Sequence, residues 1–148
     1  MTFYKAICPD GSSFNDPSFF WATEPGGITT HPMFRKRGRD ESTAAGYLSV
    51  ATVPTDCTGM RWPCRLLEVE PVGRLWTPEA SDLPNKRAAL RFRTVRELPA
   101  HVALGPNGEY LAALIERCSR LSRDEANQLY AARAAAWDAA WAAAWDAA

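Results

Sequence analysis

Two glutamates one residue apart, Glu68 and Glu70 in Arg65-Leu66-Leu67-Glu68-Val69-Glu70, are the leading candidates for chemistry in this chain. Period-2 alternation predicts both carboxylates on one strand face, where mutual repulsion would suit the pair to acid–base work. The same spacing serves equally well for a solvated face paired with Arg91 and Arg93 on a neighbouring strand. Those two arginines are also candidates to hold a phosphate. His31, next to Pro32, reads as a candidate base or as a structural loop histidine. The basic run at 35–39 reads as a solvated loop or as a contact for an anionic surface. The sequence contains no P-loop, no G-x-G-x-x-G, no G-x-S-x-G and no H-E-x-x-H.

Metal chemistry finds little to use. Cys8, Cys57, Cys64 and Cys118 form no C-x-x-C pair, and His31 and His101 are the only histidines. A zinc site would need spacings outside the common motifs, so no metal is expected and the cysteines read as reduced, partly buried thiols.

The elements that must position these residues follow from periodicity and turn signals. Residues 3–8 are β-prone and end at Pro9-Asp10-Gly11-Ser12. Phe19-Phe20-Trp21-Ala22 and Ile28-Thr29-Thr30-His31 flank a Pro-Gly-Gly turn and predict two more strands. Residues 42–46 predict a short helical turn. Residues 47–53 form a strand candidate stopped by Pro54, and the Glu68/Glu70 segment predicts the most regular strand. Residues 89–96 alternate Leu90, Phe92 and Thr94 against Arg91, Arg93 and Val95. The expectation is an α+β fold: an antiparallel or mixed sheet of five to six strands in a head at 1–106, then a helical arm at 107–148.

All nine glycines and all eleven prolines lie at or before Gly108, which predicts uninterrupted helix beyond it. Tyr110, Leu111, Leu114 and Ile115 give the first helix, about 108–120, one apolar face. Ser122 followed by Glu125 is a capping box and predicts a break, with a second helix over about 123–147. In that helix Trp137, Trp141 and Trp145 stand four apart and form one ridge flanked by Ala. A stripe of three indoles predicts burial, on the protein's own sheet, in a homo-oligomer or against a protein partner. Aspartate on the polar side argues against a membrane surface.

With 148 residues, 47% of them apolar and 23% charged, the chain has the composition of a folded domain. The zero net charge divides into −2 over residues 1–30, +5 over 31–96 and −3 over 97–148. That field is too weak to indicate nucleic-acid binding. No apolar run reaches the roughly 20 residues of a membrane span, and no signal-peptide pattern opens the chain.

Two resemblances add to this reading. Phe3-Tyr4-Lys5-Ala6, Tyr47-Leu48-Ser49-Val50, Leu66-Leu67-Glu68-Val69-Glu70 and the Ala/Trp/Asp tail look like small proteins of actinobacteria and their phages. That resemblance covers most of the chain and implies a bacterial cytosol, native or phage-infected, but it brings no activity. The Tyr-Leu-Ser strand followed by a Glu-x-Glu strand also resembles ADP-ribosyltransferase-like folds. By that resemblance Tyr47 and Ser49 would line a nicotinamide pocket and Glu70 would be the catalytic carboxylate acting on NAD. That family's first strand carries His or Arg, where this chain has Lys5. The leading expectation is a small accessory or interaction protein without a cofactor, working through the Trp helix. The competing expectation is a nucleotide-acting enzyme using Glu70.

Overall fold

In the computed structural model, the described residues are 1–35, 44–57, 61–78 and 84–146. Seven strands form one sheet: β1 (Phe3–Ile7), β2 (Ile28–Thr30), β3 (Leu48–Ala51), β4 (Arg65–Pro71), β5 (Leu75–Trp76), β6 (Lys86–Ala89) and β7 (Arg91–Leu98). Their spatial order is β2-β7-β4-β1-β3-β6-β5, and every pairing is antiparallel. Two helices follow, α1 (Gly108–Ser119) and α2 (Arg123–Asp146). The chain divides into two compact units, Met1–Leu111 and Ala112–Ala148. The fold is α+β as expected, but among the described residues it has seven strands rather than five or six and no parallel pair.

The differences have local causes. β6 opens with Lys86-Arg87, whose charge hides a strand carried by the small, fully buried Ala88 and Ala89. β5 is only two residues long and is preceded by the turn at Gly73. Phe19-Phe20-Trp21-Ala22 makes one isolated bridge, between Phe20 and Ser12, and no strand. Its backbone groups are satisfied instead by loop and side-chain partners: Trp21 N–H donates to Gly11 O at 3.0 Å, and Ala22 N–H donates to Thr29 Oγ1 at 2.9 Å. That route carries Trp21 into the core, where its ring lies 6.1 Å from Phe92. The expected turn at 42–46 is a 3-10 turn at Ala44–Gly46; its first residues, like those of the basic run beyond Arg35, lie outside the described part.

Both faces of the sheet are partly covered, because strand residues of both parities are buried. On one face Phe3, Ile7, Trp21, Leu48, Val50, Leu67, Val69 and Phe92 form the main core. On the other, Ala6, Leu66 and Cys64 pack with Ala103 of the 3-10 segment Ala100–Leu104. Gly108 shows why α1 starts where it does: a Cβ there would stand 1.8 Å from the His101 carbonyl oxygen, so only glycine lets the helix leave the 3-10 segment.

The capping box forms. Glu125 N–H donates to Ser122 Oγ at 3.3 Å, and Ser122 N–H donates to Glu125 Oε2 at 2.9 Å. The Ser122 N–H and its hydroxyl, which donates to Glu125 Oε2 at 2.8 Å, hold that carboxyl below the usual carboxylate range.

Candidate functional site

β1 is bound tightly on one side only. It pairs with β4 through five residues, from Phe3↔Val69 to Ile7↔Arg65, but with β3 only at Tyr4↔Ala51. β3 in turn pairs fully with β6, from Leu48↔Ala89 to Ala51↔Lys86. Beyond the single shared pair the strands part, and residues 5–7 face residues 48–50 without a ladder. Two cavities open along this seam, of about 260 and 410 Å³. Lys5, Asn15, Ser49 and Lys86 line both and form the waist where they meet.

The waist carries two ammonium groups. Lys5 Nζ lies 5.1 Å from the centre of the Trp21 ring. Burial lowers its pKa to about 8, and the nearby charge of Lys86 acts in the same direction. Among the described residues no carboxylate comes within 4.0 Å of either lysine. The nearby Cys57 opposes the lowering of the Lys5 pKa, but burial pushes its thiol up to about 12, so it carries no charge at neutral pH, and its Sγ donates to Pro54 O at 2.9 Å. Asp56 lines the smaller cavity and accepts a 2.5 Å hydrogen bond from Asn85 Nδ2; Asn85 Oδ1 accepts from Thr52 Oγ1 at 3.1 Å. These bonds fix Asn85, and with it the start of the strand that presents Lys86. The larger cavity has an aromatic wall of Phe19, Trp21 and Tyr47.

Tyr47 and Ser49 line the larger cavity. Glu70, Glu68, Arg91 and Arg93 are not among its lining residues. Glu70 accepts from Arg93 Nη1 at 2.8 Å, and Glu68 accepts from Arg96 Nε at 2.5 Å. The partner of Glu68 is thus Arg96, where alternation pointed to Arg91 or Arg93. Arg93 and Arg96 are three apart and would face opposite ways in a regular strand. The register shifts opposite Glu68/Val69, leaving Val95 as the extra residue of a bulge and turning both arginines toward the glutamates. Arg91 stacks on Phe34, its guanidinium carbon 4.6 Å from the ring centre, while its buried Nε has no hydrogen-bond partner.

The two ion pairs differ in burial. The Glu68 side chain is only 12% exposed, whereas Glu70 and Arg93 are each 40% or more exposed. Arg96→Ala leaves a largely buried carboxylate unpaired and is expected to destabilise the head by about 1–2 kcal/mol. Arg93→Ala is expected to cost less than about 0.5 kcal/mol. Urea midpoints of the two variants measured side by side check this ordering.

In α2 the indoles of Trp137, Trp141 and Trp145 are 62%, 55% and 72% exposed. Tyr130, Arg133, Ala134, Trp137 and Asp138 wall a notch of about 280 Å³ above the small Ala134 side chain. The apolar residues of α1, Tyr110, Leu111, Leu114 and Ile115, are likewise exposed.

Sequence reading marked Lys5 only as the residue standing where a family pattern has His or Arg, and it did not mark Lys86. The one available signal was a lysine inside the apolar run Phe3-Tyr4-Lys5-Ala6-Ile7. The four cysteines are unbridged, and among the described residues no group of three or more His, Cys, Asp or Glu side chains could hold a metal ion. None of the described helices is long and apolar enough to cross a membrane. No protein-family model, no curated protein and no solved structure matches the chain.

Proposed function

We propose that this chain is a non-enzymatic interaction protein whose α2 helices pair, parallel and in register, through the ridge of Trp137, Trp141 and Trp145. The observation that carries the reading is the exposed ridge together with the notch over Ala134. At 100° per residue, Tyr130, Ala134, Trp137, Trp141 and Trp145 fall within about 80° of one another, a single seam of large and small side chains. Large beside small is the pattern that lets knobs of one helix enter holes of another.

Area and charge both favour a second copy as the occupant. The exposed parts of the three indoles and Tyr130 amount to roughly 600 Å² per helix, or about 1,200 Å² for a pair, at the lower end of a standard interface. Arg133 and Asp138 sit on opposite flanks of the seam, five residues apart. In a parallel pair that spacing sets Arg133 of one copy against Asp138 of the other, twice by symmetry. The seam itself carries no charge.

Sedimentation equilibrium of the full chain tests this. The wild type is expected to dimerise at micromolar concentration. Trp137→Ala/Trp141→Ala/Trp145→Ala keeps strong helix formers in α2, with helix content checked by circular dichroism, and is expected to weaken association by about 100-fold or more. Arg133→Asp should weaken it about tenfold, and adding Asp138→Arg should restore it. A wild type that stays monomeric at about 100 μM overturns the proposal, as does a charge swap that fails to rescue. The reading through Glu70 as a nucleotide-acting enzyme gains no support, because Glu70 is absent from the cavity that Tyr47 and Ser49 line.

A further inference from the structure

The seam between β1 and β3 has features that neither core packing nor helix pairing uses. A sheet gains most by continuing its ladder, yet β1 and β3 part after one pair. Into the gap the fold brings two amines, a hydroxyl and a carboxamide: Lys5, Lys86, Ser49 and Asn15. All four can donate hydrogen bonds, and two carry positive charge. No buried side-chain atom of these four is left without a partner, and Lys5 makes no hydrogen bond to another protein group among the described residues. Its Nζ meets the wall over the Trp21 ring and is otherwise open to the cavity.

We propose that this seam binds a small organic anion, with its phosphate or carboxylate between Lys5 and Lys86 and its flat apolar part against Trp21 and Phe19. The charged head is set by the waist: two cations converge there with Ser49 and Asn15, and neither cation has a carboxylate partner. The acids that reach the cavities each accept from a neutral donor and pair with neither lysine. Asp56 accepts from Asn85, and Asp16 accepts from the Ser18 hydroxyl at 2.6 Å and from the Ser18 N–H at 2.9 Å. The apolar body is set by the larger chamber, whose 410 Å³ lies within the range of small-molecule sites and whose wall is aromatic. Burial leaves the Lys5 ammonium with a pKa of about 8, so it still carries its charge at neutral pH, and its partial desolvation strengthens its attraction for an anion.

Calorimetric titration of the full chain at pH 7 with phenyl phosphate, benzoate, inorganic phosphate and phenol tests the proposal. Binding of phenyl phosphate or benzoate is expected, the stronger of the two identifying the head group. Inorganic phosphate is expected to bind at least about tenfold more weakly because it leaves the aromatic wall unfilled, and phenol is expected not to bind. Lys5→Met and Lys86→Met should each lower the affinity about tenfold or more, whereas Arg93→Met, on the glutamate face, should leave it unchanged. Thermal unfolding of each variant confirms that it is folded. No binding by either aromatic anion at about 10 mM overturns the proposal, and so does equal binding by wild type, Lys5→Met and Lys86→Met.

Discussion

Replacing Lys5 with Met is expected to stabilise the head at pH 7 by about 2 kcal/mol, and the gain should disappear by about pH 10.5. Desolvation lowers the Lys5 pKa from 10.5 to about 8. At about 1.4 kcal/mol per unit, holding the partly buried amine charged costs at most about 3.5 kcal/mol. Loss of the Trp21 cation–π contact offsets about 1 kcal/mol of the gain. The sign follows from proton counting. Below pH 8 both states of the wild type hold the proton, and the whole cost falls on the folded state. Between pH 8 and 10.5 the unfolded chain binds more protons, so wild-type stability rises with pH and the penalty fades.

The other ionisable groups around Lys5 are Lys86, Cys57, Asp16, His31, Tyr47, Asp56 and Arg61. They are common to both chains, so comparing wild type with variant at each pH removes their contribution to first order. Urea unfolding followed by near-ultraviolet circular dichroism at pH 7, 8.5 and 10 measures the difference. A variant less stable than wild type at pH 7, or a difference that does not change with pH, would refute the argument. A lysine kept at such a cost fits a group retained for binding rather than for packing.

Phe92→Ala is expected to cost about 3–5 kcal/mol, a large share of the stability of a domain this size. Phe92 lies in β7 between Thr29 of β2 and Pro71 of β4, is fully buried and packs against Trp21. Removing its ring leaves a cavity at the junction of three strands and the loop that crosses them, and that backbone has little room to collapse. Val95, three residues along the same strand, is the extra residue of the bulge and is 38% exposed. Val95→Ala should therefore cost less than about 1 kcal/mol. Paired urea titrations check both values, and the Trp21 near-ultraviolet signal should weaken in Phe92→Ala alone. Equal destabilisation by the two substitutions would show that the bulge is misplaced.

The elements legible in the sequence were those specified by local pattern. β1, β2, β3, β4 and β7 fall on the predicted alternating or β-branched runs, and the two helices on the stretch free of Gly and Pro. The break between them sits at Ser122 because the capping box is a local device: four residues satisfy one another's backbone groups wherever the chain goes. The Trp ridge is equally local, since 3.6 residues per turn fixes it once a helix forms. β5 and β6 were not legible, because a two-residue strand has no period and β6 is recruited by the edge that β3 offers it. Phe19-Phe20-Trp21-Ala22 was misread because Phe19 and Trp21 serve as core anchors on a loop while Phe20 stays exposed.

The candidate sites divide along the same line. That Glu68 and Glu70 share a face and meet arginines was set by alternation in the sequence. Which arginines they meet was decided by a one-residue bulge, which has no signature in side-chain type. The cavity lay further out of reach, because it depends on β1 and β3 meeting at one pair and then parting. Periodicity states which side of a strand is buried. How far two strands stay together, and so whether Lys5 and Lys86 meet without a counter-charge, is settled only when distant segments compete for the same sheet edge.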